Sequence, residues 1–231
     1  MNNENADRSF ALGYHIPGFY DKIIDIYDCR LQSELSNRIL NLTRYFFKSR
    51  NNSVYSTKTG MGFLRYLVIR QSAKTSDLMV NLITFEDDRE LIEKYSEALR
   101  EDIPEITTLI NSISTSKAQV AQFETANTIF GKGFIEEMIG NYRFKIMPGT
   151  FFQTNSNQCD KLFLKVIEFA KFEKSENVLD LYCGCGAISL YISGNVNSVY
   201  GVELSDDSIE MAKENTELNN VKNCKFEASD V

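Results

Sequence analysis

The stretch from Val178 to Leu190 reads VLDLYCGCGAISL. An apolar run closes on an acid, a turn with two cysteines and two glycines follows, and a helix-forming run begins. The alternation continues downstream. Residues 177–182 read as a strand, 187–193 as a helix start, 198–203 as a strand, 206–218 as a helix with Ser205 as N-cap, and 223–227 as a third strand. Strand, helix, strand, helix, strand is the front half of a doubly wound parallel sheet, which places this part of the chain in the α/β class.

Such a sheet carries its ligand where strands hand over to helices. Gly184 and Gly186 remove Cβ at that point, so a ligand can approach the backbone and meet helix N-terminal N–H groups. Glu203 ends the next strand, where one carboxylate can accept hydrogen bonds from both hydroxyls of a ribose. Two cofactors suit this scheme, a dinucleotide and S-adenosylmethionine. The dinucleotide fingerprint G-x-G-x-x-G is broken, because Ser189 stands at its third position. Asp180, just before the turn, would repel a pyrophosphate and better matches a positively charged methionine end. A tight α/β turn holding no ligand is the plain alternative.

Upstream the pattern differs. Residues 11–29 read as two short strands around Pro17–Gly18, and 32–48 have helical spacing. Residues 63–70 and 78–85 read as a hairpin over the polar connector QSAKTSD. Helical spacing returns at 87–99, and 106–113 suit a strand. Two or three short strands fill 128–147, joined at Gly131, Gly133 and Gly140. A helix is expected over 156–172, with Leu162, Phe163, Val166, Ile167 and Ala170 on its apolar face. The expected boundary lies near Thr150: residues 1–150 form an α+β domain and 151–231 the first half of the nucleotide-binding sheet.

Net charge is −7, yet the segment between Arg38 and Lys74 holds Arg38, Arg44, Lys48, Arg50, Lys58, Arg65, Arg70 and Lys74 with no Asp or Glu. Tyr45, Phe46, Phe47, Tyr55, Phe63 and Tyr66 are interleaved with them. Bases attract phosphates and aromatic faces stack on unpaired bases, so the segment suits an RNA-facing surface. Taken singly, each residue better suits a solvated basic helix face or a strand whose aromatics are core; it is the absence of any acid from the whole segment that points to RNA. No run of about 18 apolar residues occurs, so no membrane span is expected. The N-terminus, MNNENADRSF, lacks the order of a signal peptide, and five cysteines in no disulfide-like array fit a reducing cytoplasm.

FFQTN at residues 151–155, followed by DLYCGCGAISL and YGVEL, resembles the S-adenosylmethionine-dependent RNA uracil-5-methyltransferases, which modify uridines in 23S ribosomal RNA and transfer RNA. LGYHIPGFYDKIIDIYDCRLQ and FLRYLVIR…LMVNLIT resemble upstream segments of the same family, so the likeness spans nearly the whole chain. The resemblance implies a class I methyltransferase sheet, S-adenosyl-L-methionine as cofactor and RNA as partner. It implies that Gln153 bonds the cofactor near its methionine end, that Asp180, Tyr182, Gly184, Gly186 and Ala187 line the turn, that Glu203 holds the ribose and that Asp230 lies near the adenine. Ala187 stands where the family often has Thr or Asn.

The family's chemistry needs a thiolate that adds to uracil C6 and a base that removes the C5 proton. The resemblance places that cysteine, in a Ser-Cys-Asn-Pro-like segment, and its basic glutamate beyond Val231. No catalytic residue is therefore expected in the chain, and the 231 residues alone are expected to be inactive, as a fragment or truncated reading frame. A helix N-terminus would lower the thiol pKa of Cys183 or Cys185, but a cofactor over the turn leaves no room for a uracil. Cys159 and Cys224 read as packed small side chains. Cys29 matches one ligand of an iron–sulfur cluster in many family members, but one cysteine cannot hold a cluster that needs four, and His15 has no metal-like spacing around it. One edge of the 177–182 strand is expected to be unpaired and to favour self-association. A non-catalytic RNA-binding module and a small-molecule methyltransferase remain as alternatives.

Overall fold

The structure, a computed structural model, describes residues 10–19, 22–117 and 120–230. The polar N-terminus, Tyr20 and Asp21 in the family-like segment, and Val231 lie outside the described residues. Two compact units are present, Met1–Arg70 with Leu78–Gly133, and Gln71–Asp77 with Phe134–Val231.

In the first unit, β1 (Gly13–His15) and β2 (Ile23–Asp25) pair antiparallel across the Pro17–Gly18 turn. Helix α1 (Glu34–Ser49) starts at Ser33, whose hydroxyl accepts the Ser36 N–H. A four-stranded sheet follows, in the order β3 (Leu64–Gln71), β4 (Leu78–Thr84), β5 (Thr108–Ile113), β6 (Thr125–Phe130). Helix α2 (Arg89–Asp102) carries the chain from β4 to β5, which run parallel, and β6 returns antiparallel. β4 is buried along its whole length, as its nearly unbroken apolar run LMVNLIT requires. Ile39, Phe46 and Phe47 of α1 and Ile92, Tyr95 and Leu99 of α2 join Leu78, Val80, Leu82 and Leu109 in one core. The Phe46, Phe47 and Tyr95 rings lie 4.9–5.3 Å apart, and each buried ring contributes about 1.5–3 kcal/mol.

In the second unit, β7 (Ile135–Ile139) and β8 (Tyr142–Ile146) form a hairpin. Its turn holds Gly140 at φ +57°. After α3 (Ser156–Ala170) come β9 (Asn177–Leu181), α4 (Ala187–Ser193), β10 (Ser198–Glu203), α5 (Asp206–Leu218) and β11 (Cys224–Ala228). The three strands are parallel in the order β11-β10-β9, the expected front half of a doubly wound sheet. Ser205 caps α5 as expected, its hydroxyl accepting the Ser208 N–H.

The apolar face of α3 is narrower than its spacing suggests. Phe163 packs edge-on against Tyr191 and Cys159 is buried, but Leu162 and Ala170 are exposed. β9 lies at the outer edge of its sheet, with Leu179 and Leu181 exposed.

Candidate cofactor site

Parallel pairing brings the C-terminal ends of β9 and β10 side by side, with residues 182–186 arching from the first. Three residues of this arch are left-handed: Tyr182 at φ +61°, Gly184 at +54° and Gly186 at +77°, while the two intervening cysteines are not. Alternation of this kind turns successive backbone N–H groups toward one side. The conformation costs a tyrosine about 1–2 kcal/mol, so Tyr182 marks a strained position.

The glycines differ in purpose. A Cβ on Gly186 would stand 3.0 Å from Phe226, 3.1 Å from Ala212 and 3.2 Å from Leu190, so this glycine lets α4 pack close. A Cβ on Gly184 would meet nothing within 4 Å. Gly184 faces open space.

Glu203 reaches into the arch. Its Oε2 accepts the Gly184 N–H at 3.2 Å and its Oε1 accepts the Ser205 N–H at 3.2 Å. Two backbone donors thereby orient the carboxylate, and acceptor capacity remains on both oxygens. Asp180 faces α4, where it accepts the Ser189 hydroxyl. Burial raises its pKa, partly offset by that bond. Ser189, fully buried, does more than break a dinucleotide fingerprint: it fixes the acid of the turn.

The FFQTN segment is tied to the same arch. Cys185 Sγ lies 3.7 Å from the Phe151 carbonyl oxygen, and Phe152 is buried with its ring 5.5 Å from that of Phe144. Asn155 caps α3, and the Ser156 hydroxyl donates to Glu137 at 2.8 Å. Glu137 is 2% exposed and also accepts the Ser72 hydroxyl and the Ala73 N–H. QSAKTSD, a plain polar connector by sequence, thus anchors the segment that carries Gln153, which is itself exposed. Asp230 stands one residue past Ser229, whose N–H donates to the Glu203 carbonyl at 3.0 Å. Tyr182, Gly184, Gly186, Ala187 and Glu203 therefore meet at one end of the sheet, with Asp230 beside the strand that ends in Glu203.

The cysteines of the turn are built into packing. Burial, followed by the nearby charges of Asp180 and Glu203, pushes the Cys183 thiol up to about 12. The lowering expected from a helix N-terminus is overridden, chiefly by burial and then by the two carboxylates at the strand ends, neither of which a local reading sees. Burial likewise pushes Cys159 and Cys224 up to about 11.

The basic segment is corrected at several positions. Arg44 is buried, paired with Asp25 at 3.0 Å, bonded to the Leu12 and Ile26 carbonyls and stacked 4.1 Å over Tyr27. Arg65 donates to the Ser114 and Ser116 carbonyls, Arg50 to that of Phe46, and Arg38 to Glu105 and the Asp102 carbonyl. Phe46, Phe47 and Phe63 are core. Tyr45, Lys48 and Lys58 are exposed.

Residues 36–228 match the model of the tRNA (Uracil-5-)-methyltransferase family. The chain belongs to this family. An uncharacterized RNA methyltransferase of Chlorobaculum tepidum is 36% identical over 97% of the chain and 47% of its own length. One of Bacteroides thetaiotaomicron is 36% identical over 97% of the chain and 50% of its own. The crystal structure of the Pyrococcus abyssi tRNA (uracil-54, C5)-methyltransferase in complex with S-adenosyl-L-homocysteine is similar at a TM-score of 0.77 and 30% identity, over 94% of the chain and 52% of that protein. The chain spans about half the length of the relatives it matches. The family match takes in parts of both units, beginning at Ser36 in α1, and among the described residues no helix is long and apolar enough to cross a membrane.

Proposed function

We propose that the arch and Glu203 hold S-adenosyl-L-methionine, and that the chain is the cofactor-holding part of an RNA uracil-5-methyltransferase. The observation that carries this reading is the Glu203 carboxylate, oriented by the Gly184 and Ser205 N–H groups beside a glycine that faces open space. Its spare acceptor capacity suits a ribose diol. Two carboxylates near the turn disfavour a diphosphate and favour a cationic group. S-adenosylmethionine supplies a methyl group on an electrophilic sulfonium. In this reading Gln153 and Asp180 serve the methionine end, Tyr182, Gly184, Gly186 and Ala187 form the floor, and Asp230 borders the adenine.

RNA is the proposed partner, through the basic segment Arg38 to Lys74, of which Arg38, Tyr45, Lys48, Arg50 and Lys58 are exposed on the first unit. We also propose that the 231 residues do not transfer the methyl group by themselves. Burial keeps Cys159, Cys183 and Cys224 protonated, Cys185 is buried in the turn, and half-buried Cys29 lies between β2 and α1. The outer edge of β9 is proposed as a surface where a second copy of the chain adds its own strand, because edge N–H and C=O groups template pairing.

Calorimetry with S-adenosylhomocysteine tests the cofactor reading, and lack of binding would refute it. Filter binding of single-stranded RNA with a steep salt dependence tests the RNA reading. Formation of 5-methyluridine by the purified chain would overturn the inactivity alone, and a monomer in sedimentation would overturn the self-association.

A further inference from the structure

We propose that Asn215 sets the conformation of the cofactor turn; the inference rests on the reading that the turn holds S-adenosylmethionine. Asn215 is fully buried on α5. Its Oδ1 accepts the Lys145 N–H of β8 at 2.8 Å, and its Nδ2 donates to the Cys185 carbonyl at 3.2 Å. Four residues on, the Asn219 Oδ1 accepts the Arg143 N–H at 2.8 Å and its Nδ2 donates to the Arg143 carbonyl at 2.6 Å.

The spacing explains why two asparagines suit this place. Four helical residues rise about 6 Å, and two strand residues advance about 6.6–6.8 Å. Carboxamides at i and i+4 of a helix can therefore reach backbone groups at i and i+2 of a strand edge, and α5 serves β8 as a neighbouring strand would. Asn219 spends its hydrogen bonds on that edge and on its own helix. Asn215 alone carries the link onward to the turn.

What it holds there needs an outside constraint. Cys185 lies between two glycines in left-handed conformations, the residues that lose most conformational freedom on ordering. The Gly186 N–H donates to the Cys183 carbonyl at 3.0 Å, and Asn215 takes the other end of the same peptide group, the Cys185 carbonyl. With both ends bound, that peptide plane cannot flip. Glu203 holds the Gly184 N–H from the other side. The open face of Gly184 is thus fixed between a ligand-facing acid and a buried amide. Asn215 is a positioning residue and does not touch the cofactor.

Asn215→Asp keeps the side-chain volume and the acceptor for Lys145 but sets an oxygen against the Cys185 carbonyl. Asn219→Ala is the control, since it breaks bonds of the same kind to the same strand without touching the turn. In Asn215→Asp, amide hydrogen exchange at Gly186 is expected to rise at least tenfold. Affinity for S-adenosylhomocysteine, measured well below the melting temperature, is expected to fall at least tenfold, or about 1.4 kcal/mol. Asn219→Ala lowers the melting temperature and leaves both readouts unmoved. Unchanged exchange at Gly186 in Asn215→Asp, or an equal affinity loss in Asn219→Ala, overturns the proposal. If the aspartate variant does not fold, Asn215→Ser is read by the same criteria. Failure of the wild-type chain to bind S-adenosylhomocysteine would refute the cofactor reading, while the exchange comparison still decides the role of Asn215.

Discussion

Replacing Gly184 with alanine separates ligand binding from folding. At φ +54° an alanine is strained, which costs about 1–2 kcal/mol. The added methyl meets no protein atom within 4 Å, so no packing cost follows. For a chain of this size the melting temperature should fall by about 2–8 °C. The methyl projects into the space assigned to the cofactor, and the expected loss of affinity is at least tenfold, or about 1.4 kcal/mol. Gly186→Ala is the counterpart. It carries the same backbone strain plus contacts of 3.0–3.2 Å with Phe226, Ala212 and Leu190. Overpacking adds about 1–3 kcal/mol, giving a total of about 2–5 kcal/mol. Thermal melts and calorimetry with S-adenosylhomocysteine on both variants should therefore rank them oppositely, Gly186→Ala worse in stability and Gly184→Ala worse in affinity per folded molecule. Wild-type affinity in Gly184→Ala would refute the reasoning.

Three further outcomes follow from the same geometry. Glu203→Gln places an amide NH₂ toward one of the two backbone donors that now orient the carboxylate, and should weaken S-adenosylhomocysteine binding about 10–100-fold, the worth of one charged hydrogen bond; calorimetry checks it, and unchanged binding contradicts it. With its thiol near 12 against an ordinary 9.0, Cys183 should hold about a thousandfold less thiolate at pH 8 than a free cysteine and alkylate correspondingly slowly, as peptide mass mapping would show; labelling at the rate of the unfolded chain contradicts this. Burial works to raise the Asp25 pKa, but hydrogen bonds from Leu12, Arg44 and Tyr27 and the Arg44 charge leave it below its ordinary 3.8, so its stabilisation is complete above that value and is lost as pH falls through the folded pKa. Arg44→Ala should cost about 3–5 kcal/mol and flatten that acid limb in urea melts at a series of pH values.

Much of the fold was legible because its signals are local. The nearly unbroken apolar run of β4, the Ser205 cap and the acid at the end of β10 each follow from a few neighbouring residues. What stayed hidden depends on partners distant in sequence. Arg44 looks like a surface base until Asp25 and the Leu12 and Ile26 carbonyls surround it. Cys183 looks activated by its helix until the sheet buries it and two strand ends set carboxylates beside it. Glu137 looks like one more surface acid, yet it joins the Gln71–Asp77 connector to the start of α3. That Glu203 and the glycines come together at one end of the sheet was readable from the strand–turn–helix order. Ser189 and Asn215 were not, because their purpose lies in contacts made across the sheet or to a neighbouring hairpin. The buried face of α3 is narrower than its spacing predicts, because helical spacing tells which residues share a side and not how wide a neighbour covers it.

The central claim is that Glu203 and the open face of Gly184 receive an S-adenosyl nucleoside. Parallel calorimetric titrations of the purified chain with S-adenosylhomocysteine and with NAD⁺ test it most directly. The account predicts saturable heat with S-adenosylhomocysteine that disappears in Glu203→Ala, and none with NAD⁺. Binding of NAD⁺, or S-adenosylhomocysteine binding indifferent to Glu203, would contradict it.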